Sequence, residues 1–434
     1  FALHVTFGTG LVSALLPAVL HAAPPEYLSA ESPHAVPLSE EVNPVDAIGH
    51  HPRAFHIEDA ILLPVLRESV AIFSPRTYFL YRDRGDGTRF ETFAVGGSAG
   101  MVTGWLHDSV RFGVTGYTSQ RIHGPEDRDG AGLLREGQKE YSVLGELYAE
   151  ARRGPWSLKI GRQELDLPYL NIHDIRMTPN TFEAATLHFT GEHWKAGIAH
   201  TWRMKFRNSS DFVSMSQQVG ADRDRGVTSL GALYECGNAS IGAINHYGWD
   251  TFNTLYTEAT WQQPFSDGLD AKFSIQFTDQ RSVGDELLGD FDAQHFGAKA
   301  SLGYHSLTAS ATFTCYSGGD FLINPWGGSP TYNSIIVGDF NRPDEKAFGL
   351  GLSYDFTDLG LEGLSAFSTV VFGDTPDSGR DASEDRNEYN LTVDYRIPKG
   401  PLDKLWLRAR AAHIDGDDRN RWDLRFITNY TISF

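Results

Sequence analysis

Residues 421–434, RWDLRFITNYTISF, alternate apolar and polar side chains up to the last residue. Trp422, Leu424, Phe426, Thr428, Tyr430, Ile432 and Phe434 share one face. Asp423, Arg425, Asn429, Thr431 and Ser433 share the other, where Ile427 is the exception. Successive side chains of a strand point to opposite faces, so one face suits lipid and the other water. A soluble sandwich can carry the same alternation. It has less reason to end on it, because chain ends fray unless tied down. The period therefore points to a strand that closes a larger sheet and lays its apolar face in a bilayer.

The same period recurs upstream in segments of about ten residues, the length of a tilted membrane strand. Phe348, Leu350, Leu352, Tyr354 and Phe356 alternate with Gly349, Gly351, Ser353 and Asp355. Tyr389, Leu391, Val393, Tyr395 and Ile397 alternate with Asn390, Thr392, Asp394 and Arg396. Trp194, Ala196, Ile198, Trp202 and Met204 alternate with Lys195, Gly197, Ala199, Thr201, Arg203 and Lys205. About eighteen such segments start near 76, 92, 109, 141, 156, 183, 194, 227, 239, 252, 269, 292, 307, 345, 363, 388, 404 and 421. Their connections take turns: short at 190–192, 305–306, 358–360 and 399–401, long and polar at 119–139, 317–344 and 374–387. Short turns on one rim and long loops on the other form the barrel pattern. Sixteen to eighteen strands leave an aqueous channel. The predicted fold is all-β, a transmembrane antiparallel β-barrel of about eighteen strands over 76–434.

Composition excludes several classes. Mean hydropathy is −0.32 and no apolar run of helical-span length follows the N-terminus, so helical spans are ruled out. The net charge of −19 argues against nucleic acid as a partner. Cys236 and Cys315 lack C-x-x-C spacing, and the sequence holds no P-loop or HExxH motif, so no cofactor or metal is expected. The acidic stretches 127–130 and 415–418 lack the spacing of a calcium loop and read as solvated loops. Residues 1–23 read as a secretory signal whose charged start is cut off. Leu11–Leu20 is its apolar core, and cleavage is expected near Ala22 or Ala23. Residues 24–75, rich in Pro and His, read as an irregular leader.

Two segments carry a family resemblance. One is KIGRQELDLPYLNIHDIRMTPNTF, residues 159–182; the other is NPWGGSPTYNS, 324–334, continuing through VGDFNRPDEK, 337–346. With RTYFLYRDR at 76–84 and the terminal strand ending on Phe434, the chain resembles the OprD family of outer-membrane porins from about residue 62 onward. The resemblance implies a substrate-selective channel for small nutrients, often carboxylate-bearing, in the bacterial outer membrane. It implies a lumen narrowed by the third and seventh loops. His173, Asp174 and Arg176 fall in the first, and Ser329, Thr331, Ser334 and Asp339 in the second. For Asp339 and Arg342 a loop-fixing role is expected. The resemblance favours a monomer or weak homo-oligomer.

Strand parity itself supports a basic wall. If Leu405, Leu407, Ala409 and Ala411 face lipid, Arg408 and Arg410 face the lumen, with Arg425 on the next strand and Arg396 on the one before. Closure of the barrel brings Arg82 near. A charge on the lipid face costs about 2–4 kcal/mol at the midplane, so the lumen is the cheaper placement. A row of positive charge favours anions in successive weak sites. The same arginines can also pair with Asp394 and Asp423, and both roles can coexist. A second basic row, Lys195, Arg203, Lys205 and Arg207, is expected at the rim, against lipopolysaccharide phosphates.

Residues 166–182 break the alternation at once and mix Leu167, Tyr169, Leu170 and Ile172 with His173, Asp174 and Arg176. So much apolar surface suits a constriction loop folded inward, where irregular backbone is tolerated beside water. Asp174 and Arg176 are expected to set opposite charges across the narrowest section. Gly96–Gly100 matches G-x-S-x-G around Ser98, but a nucleophile elbow needs a helix after it, and alternating residues follow. The expected function is passive uptake of small polar solutes, and no catalysis. The alternatives are a barrel hydrolase using Ser98 and a barrel sleeve around a partner protein.

Overall fold

The computed structural model describes residues 68–265, 268–403, 405–416 and 419–434. The expected signal, 1–23, and the leader up to residue 67 lie outside them.

One sheet contains twenty strands, of which Phe212–Ser214 and Ile432–Ser433 are short end pieces, leaving eighteen that build the wall. They are β1 Val70–Asp83, β2 Arg89–Val102, β3 Val110–His123, β4 Tyr141–Arg153, β5 Trp156–Gln163 and β6 Thr181–Thr190. Next come β7 Trp194–Lys205, β8 Val227–Cys236, β9 Ala239–Gly248, β10 Phe252–Pro264, β11 Leu269–Ser282 and β12 Asp292–Tyr304. The last six are β13 Leu307–Ser317, β14 Lys346–Asp355, β15 Leu364–Asp374, β16 Arg386–Arg396, β17 Trp406–Gly416 and β18 Arg421–Asn429. Each pairs antiparallel with its neighbours, and β18 returns to β1 with Arg76 opposite Asn429 and Asp83 opposite Trp422. Closure removes both sheet edges, so every ladder group is satisfied in lipid.

The leader gives way to the barrel at Val70, six residues before the expected start at 76. Pro75 and Gly96-Gly97 hid this pairing, because both residue types ordinarily break strands. Here they sit opposite each other. Gly97 has φ +117°, and a Cβ there would lie 2.0 Å from the Ser74 carbonyl oxygen, so the β1–β2 seam demands glycine. Ser98 faces Ser74 within this uninterrupted ladder, with no turn or helix behind it, and the nucleophile-elbow geometry is absent.

Faces follow the period. Trp422, Leu424, Phe426, Phe348, Leu350, Leu352, Tyr389 and Leu391 are exposed on the outer wall. Trp194, Trp261 and Tyr304 ring the short-turn rim, and Trp202, Trp249 and Trp422 the long-loop rim, as interfacial girdles require. Met204 was expected outside and is fully buried inside, beside Phe182. A β-bulge causes the reversal: Glu183 pairs with Arg203 and Ala184 with Thr201, so Trp202 is skipped and parity flips. Ile427, the exception in the closing strand, packs inward on Tyr78, Leu80, Leu133, Leu134 and Met177.

Candidate permeation site between two inward loops

The loop 164–180 first forms a small hairpin, Asp166–Leu167 against Leu170–Asn171. Tyr169 takes φ +65° at its turn. Leu165, Leu167, Tyr169 and Leu170 are buried against Phe182, Val227, Ile244, Phe252 and Tyr256 on the inner wall. Two polar contacts pin this end: the Tyr169 hydroxyl meets Thr278 Oγ1 at 2.8 Å, and His246 Nε2 meets the Pro168 carbonyl at 2.7 Å. Five residues later the chain reaches the opposite seam. There Asp174 accepts two hydrogen bonds from Arg76 on β1, at 2.6 and 2.7 Å. Five residues span at most about 18 Å. The segment therefore crosses the lumen between β11 and β1.

The loop 318–345 crosses beside it. Gln280 donates to the Ile323 carbonyl at 2.7 Å, and Gln276 to the Pro330 carbonyl at 3.1 Å. Trp326 stacks on Phe252 at 4.6 Å between ring centres. At the far end Glu388 accepts from the Val337 and Gly338 amides at 3.0 and 2.7 Å, and Arg425 Nη2 donates to the Ile336 carbonyl at 2.6 Å. The loops meet at Asn171, whose Oδ1 accepts from Gly328 N at 2.7 Å and whose Nδ2 donates to Gly328 O at 3.1 Å. A Cβ on Gly327 would lie 2.6 Å from Asn171 N, so this close approach explains the Gly-Gly pair.

The arginine row occupies the lumen side of β16, β17, β18 and β1. Arg408 is held by Asp394 through two bonds of 2.7 Å, and Arg410 Nε donates to Thr392 at 3.2 Å. Asp423 bridges Arg425 and Arg82, each at 2.6 Å. Arg396 lies at the short-turn end, over the Trp406 ring at 5.8 Å. Arg410 and Arg425 stand directly opposite in the ladder. Like charges in such pairs are destabilising, so the lumen wall accepts a local cost. Ladder and pairing coexist.

The loop residues divide. His173, Asp174 and Asp339 are half-buried, whereas Arg176, Ser329, Thr331 and Ser334 are buried. Arg176 Nε donates to the Ala131 carbonyl at 2.9 Å, and Asp174 is clasped by Arg76. The expected opposition of Asp174 and Arg176 across the pore is therefore corrected: one is neutralised by a third residue and the other turns into the loop packing. Ser329 and Thr331 bond each other at 3.0 Å, and Ser334 donates to Asp339 at 2.6 Å, so these hydroxyls fix the loop. Arg342 holds Glu345 at 2.6 Å, the loop-fixing role expected of it. Arg207 Nη1 bonds His173 Nδ1. Burial, then the guanidiniums of Arg207, Arg176 and Arg425, hold that imidazole well below its usual range, so it accepts as a neutral ring.

The second basic row does not stay together. Lys195 pairs with Glu235 at 2.9 Å, Arg203 is exposed, and Lys205 is buried with its amine 3.1 Å from Thr178 Oγ1. The bulge turns Arg203 outward, and contacts with the loop 164–180 hold Lys205, at the end of β7, and Arg207, just after it.

Sequence reasoning missed two groups. The stretch 119–139 reads as a long polar loop on the outer rim, yet Ala131, Leu133 and Leu134 within it are buried in the lumen cluster. The run Ala-Gly-Leu-Leu inside it was the available signal. On the β3–β4 wall, Tyr117 Oη lies 2.8 Å from Glu146 and 2.9 Å from Glu164, a carboxylate pair that no local spacing announces. Among the described residues, no His, Cys, Asp and Glu cluster suits a metal.

The fold and loops match known proteins. A family model described as outer membrane porin, OprD family, matches residues 66–434. Porin D of Pseudomonas aeruginosa is 22% identical over 402 residues, covering 82% of this chain and 89% of that protein. The crystal structure of Pseudomonas aeruginosa OccK9 (OpdG) superposes with a TM-score of 0.79 at 25% identity, covering 84% of this chain and 98% of that one. That of Pseudomonas aeruginosa OpdK with vanillate gives 0.77 at 20% identity, covering 85% and 100%. With a family match over most of its length, an eighteen-stranded closed wall and two loops across the lumen, the chain belongs to the OprD family of outer membrane porins and resides in a bacterial outer membrane.

Proposed function

We propose that the channel passes small carboxylate-bearing solutes in preference to cations and neutral sugars. The observation that carries this is the arginine row Arg82, Arg425, Arg410, Arg408 and Arg396, which follows one lumen wall from the long-loop rim to the short-turn rim. Fixed guanidiniums match carboxylates in geometry, and a series of weak sites lets the solute leave as well as enter. The relative crystallised with vanillate, a carboxylate, agrees with this chemistry. Asp394 and Asp423 moderate the row, which suits selectivity without tight retention. Intermediate burial supports His173, Asp174 and Asp339, the latter two already paired with Arg76 and Ser334, as the loop groups nearest to a permeant.

A sleeve for a partner protein needs a lumen clear of its own chain, and two loops cross this one. The outer wall is bathed in lipid, and exposed Arg203 beside Trp202 is a fitting contact for a lipopolysaccharide phosphate. We propose a monomer or weak homo-oligomer as the working unit. Liposome-swelling rates across a panel of acids, sugars and amino acids test the preference. Acids entering fastest, with Arg408→Gln plus Arg410→Gln abolishing the difference, is the expected result. Equal rates for acids and sugars of one size contradict it.

A further inference from the structure

Strand β7 presents Trp202 and Arg203 side by side on the outer wall, where consecutive residues of a regular strand would face opposite ways. The bulge against β6 does this. Thr201 and Met204 on either side are fully buried, while Trp202 is 45% exposed and Arg203 is exposed beside it. The Trp202 ring meets His200 edge-on at 5.4 Å between centres. Arg203 ends a row of charges across three strands: it stands opposite Glu183 on β6, which stands opposite Arg162 on β5. Arg162 is committed. Its Nε donates to Glu183 at 3.0 Å, its Nη1 donates to the Leu144 carbonyl at 3.1 Å, and its Cζ lies 4.2 Å from the centre of the Phe212 ring. Glu183 is thereby neutralised. Among the described residues, the Arg203 guanidinium has no ion-pair or hydrogen-bond partner. Other arginines of this rim are paired, Arg89 with Asp83 at 3.1 Å and Arg281 with Asp279 at 2.8 Å.

We infer that this face docks one lipopolysaccharide molecule, with a lipid A phosphate on Arg203, a glucosamine ring against Trp202 and an acyl chain running down the wall over Ala185. The next row toward mid-bilayer is Ile160, Ala185 and His200, and below it lie Leu158, Leu187 and Ile198. Ala185 thus leaves a notch between larger neighbours, about 7 Å along the strand from Glu183. The charged row sits where β5 and β7 run into long loops, whereas β5 begins and β6 ends at short turns. Short turns face the periplasm, so the row belongs to the outer leaflet, whose phosphate-bearing lipid is lipopolysaccharide. An unpaired charge on the lipid face is cheap only near the interface, which sets Arg203 at headgroup level. Its fork matches a phosphate through paired hydrogen bonds, and an indole with an apolar body and a polar edge suits the same level. The inference rests on the Arg203 contact named above and adds the sugar and acyl contacts to it. It does not depend on which solute the channel passes.

Diphosphoryl lipid A and phosphatidylglycerol are the probes, titrated into the full-length protein in detergent, with bound lipid counted by native mass spectrometry. One lipid A per chain is expected at concentrations where phosphatidylglycerol does not bind. Arg203→Gln should weaken lipid A by about tenfold, as loss of charge-assisted bonds does. Ala185→Leu, which fills the notch and leaves the charged row in place, should weaken it as well. Heat-modifiable electrophoretic mobility reports that each variant is folded. Undiminished lipid A affinity in both variants overturns the docking site. Equal binding of phosphatidylglycerol overturns the assignment to lipopolysaccharide, because the face then takes any anionic lipid. Either result leaves the carboxylate preference of the channel untouched, since liposome swelling measures that separately.

Discussion

Arg76 and Asp174 form a two-point salt bridge, 2.6 and 2.7 Å, that ties the loop crossing the lumen to the seam where the barrel closes. The same guanidinium donates from Nη1 to the Arg176 carbonyl at 2.6 Å and from Nε to Asn429 Oδ1 at 2.6 Å. It therefore joins β1, β18 and the loop at one point. Side-chain exposures of 12% and 17% place the pair away from full solvent screening.

That clasp sets the position of the constriction. Arg76→Gln and Asp174→Asn should each raise conductance and open-channel noise. Combining them should add little, because each already breaks the same contact. A coupling of about 1.5–3 kcal/mol is expected for charge-assisted bonds at this burial. Additive effects of the two substitutions mean that the residues act independently.

The contact of the two loops depends on a missing side chain. Gly327→Ala would set a methyl 2.6 Å from Asn171 N, so the loops must part. The barrel wall is untouched, and folding yield should hold. Conductance should rise and discrimination between solutes of different size should fall. A normal size cut-off in this variant shows that the loops tolerate separation.

Facing on the closing strand has a direct stability consequence. Phe426 is exposed on the outer wall and packs on Phe79 at 6.3 Å between ring centres. Phe426→Arg should cost on the order of 2–4 kcal/mol near mid-bilayer, read as a lower urea midpoint in lipid. Arg425 is fully buried on the other face, bonded to Asp423 and to the Ile336 carbonyl. Arg425→Gln should leave assembly intact, loosen the 318–345 loop and move the reversal potential toward cations. Equal losses of folding yield for the two variants contradict the facing assignment.

Most of the wall was legible because period-two alternation is local and is enforced by lipid on one side and water on the other. The starts at 141, 156, 194, 227, 239, 252, 269, 292, 307 and 421 agree with the strands found. The failures have physical causes. Pro75 and the Gly96-Gly97 pair disguised the start of β1, and the bulge at Trp202 reversed the parity of Met204. The apolar content of 166–172 announced an inward loop. Its partners stayed hidden, because Arg76 and Asp174 are 98 residues apart and no period links them. The expected field between Asp174 and Arg176 failed for the same reason: each took a partner from a distant segment.

One acid in the crossing loop should make its docking pH-dependent. Burial raises the Asp166 carboxyl to about 6, and its Oδ1 has no hydrogen-bond partner. The folded value lies above the ordinary carboxylate range, so the ionised form is disfavoured in the docked loop. The resulting cost is absent at low pH, grows as pH rises through the ordinary range toward 6, and is complete above it. Asp166→Asn removes this term. Open-channel noise should therefore be lower in the variant than in the wild type at pH 7.5, with the two converging at pH 4. A difference that persists at pH 4 excludes ionisation of Asp166 as its source.

The central claim is that the two loops, rather than the wall, bound the narrowest section. Single-channel conductance of a chain lacking residues 170–177 tests it most directly, with heat-modifiable mobility confirming a folded barrel. The deletion removes the Asn171 junction and the Asp174 clasp together. Conductance should rise severalfold and selectivity among acids, sugars and amino acids should flatten. A folded variant with wild-type conductance and wild-type selectivity contradicts the account.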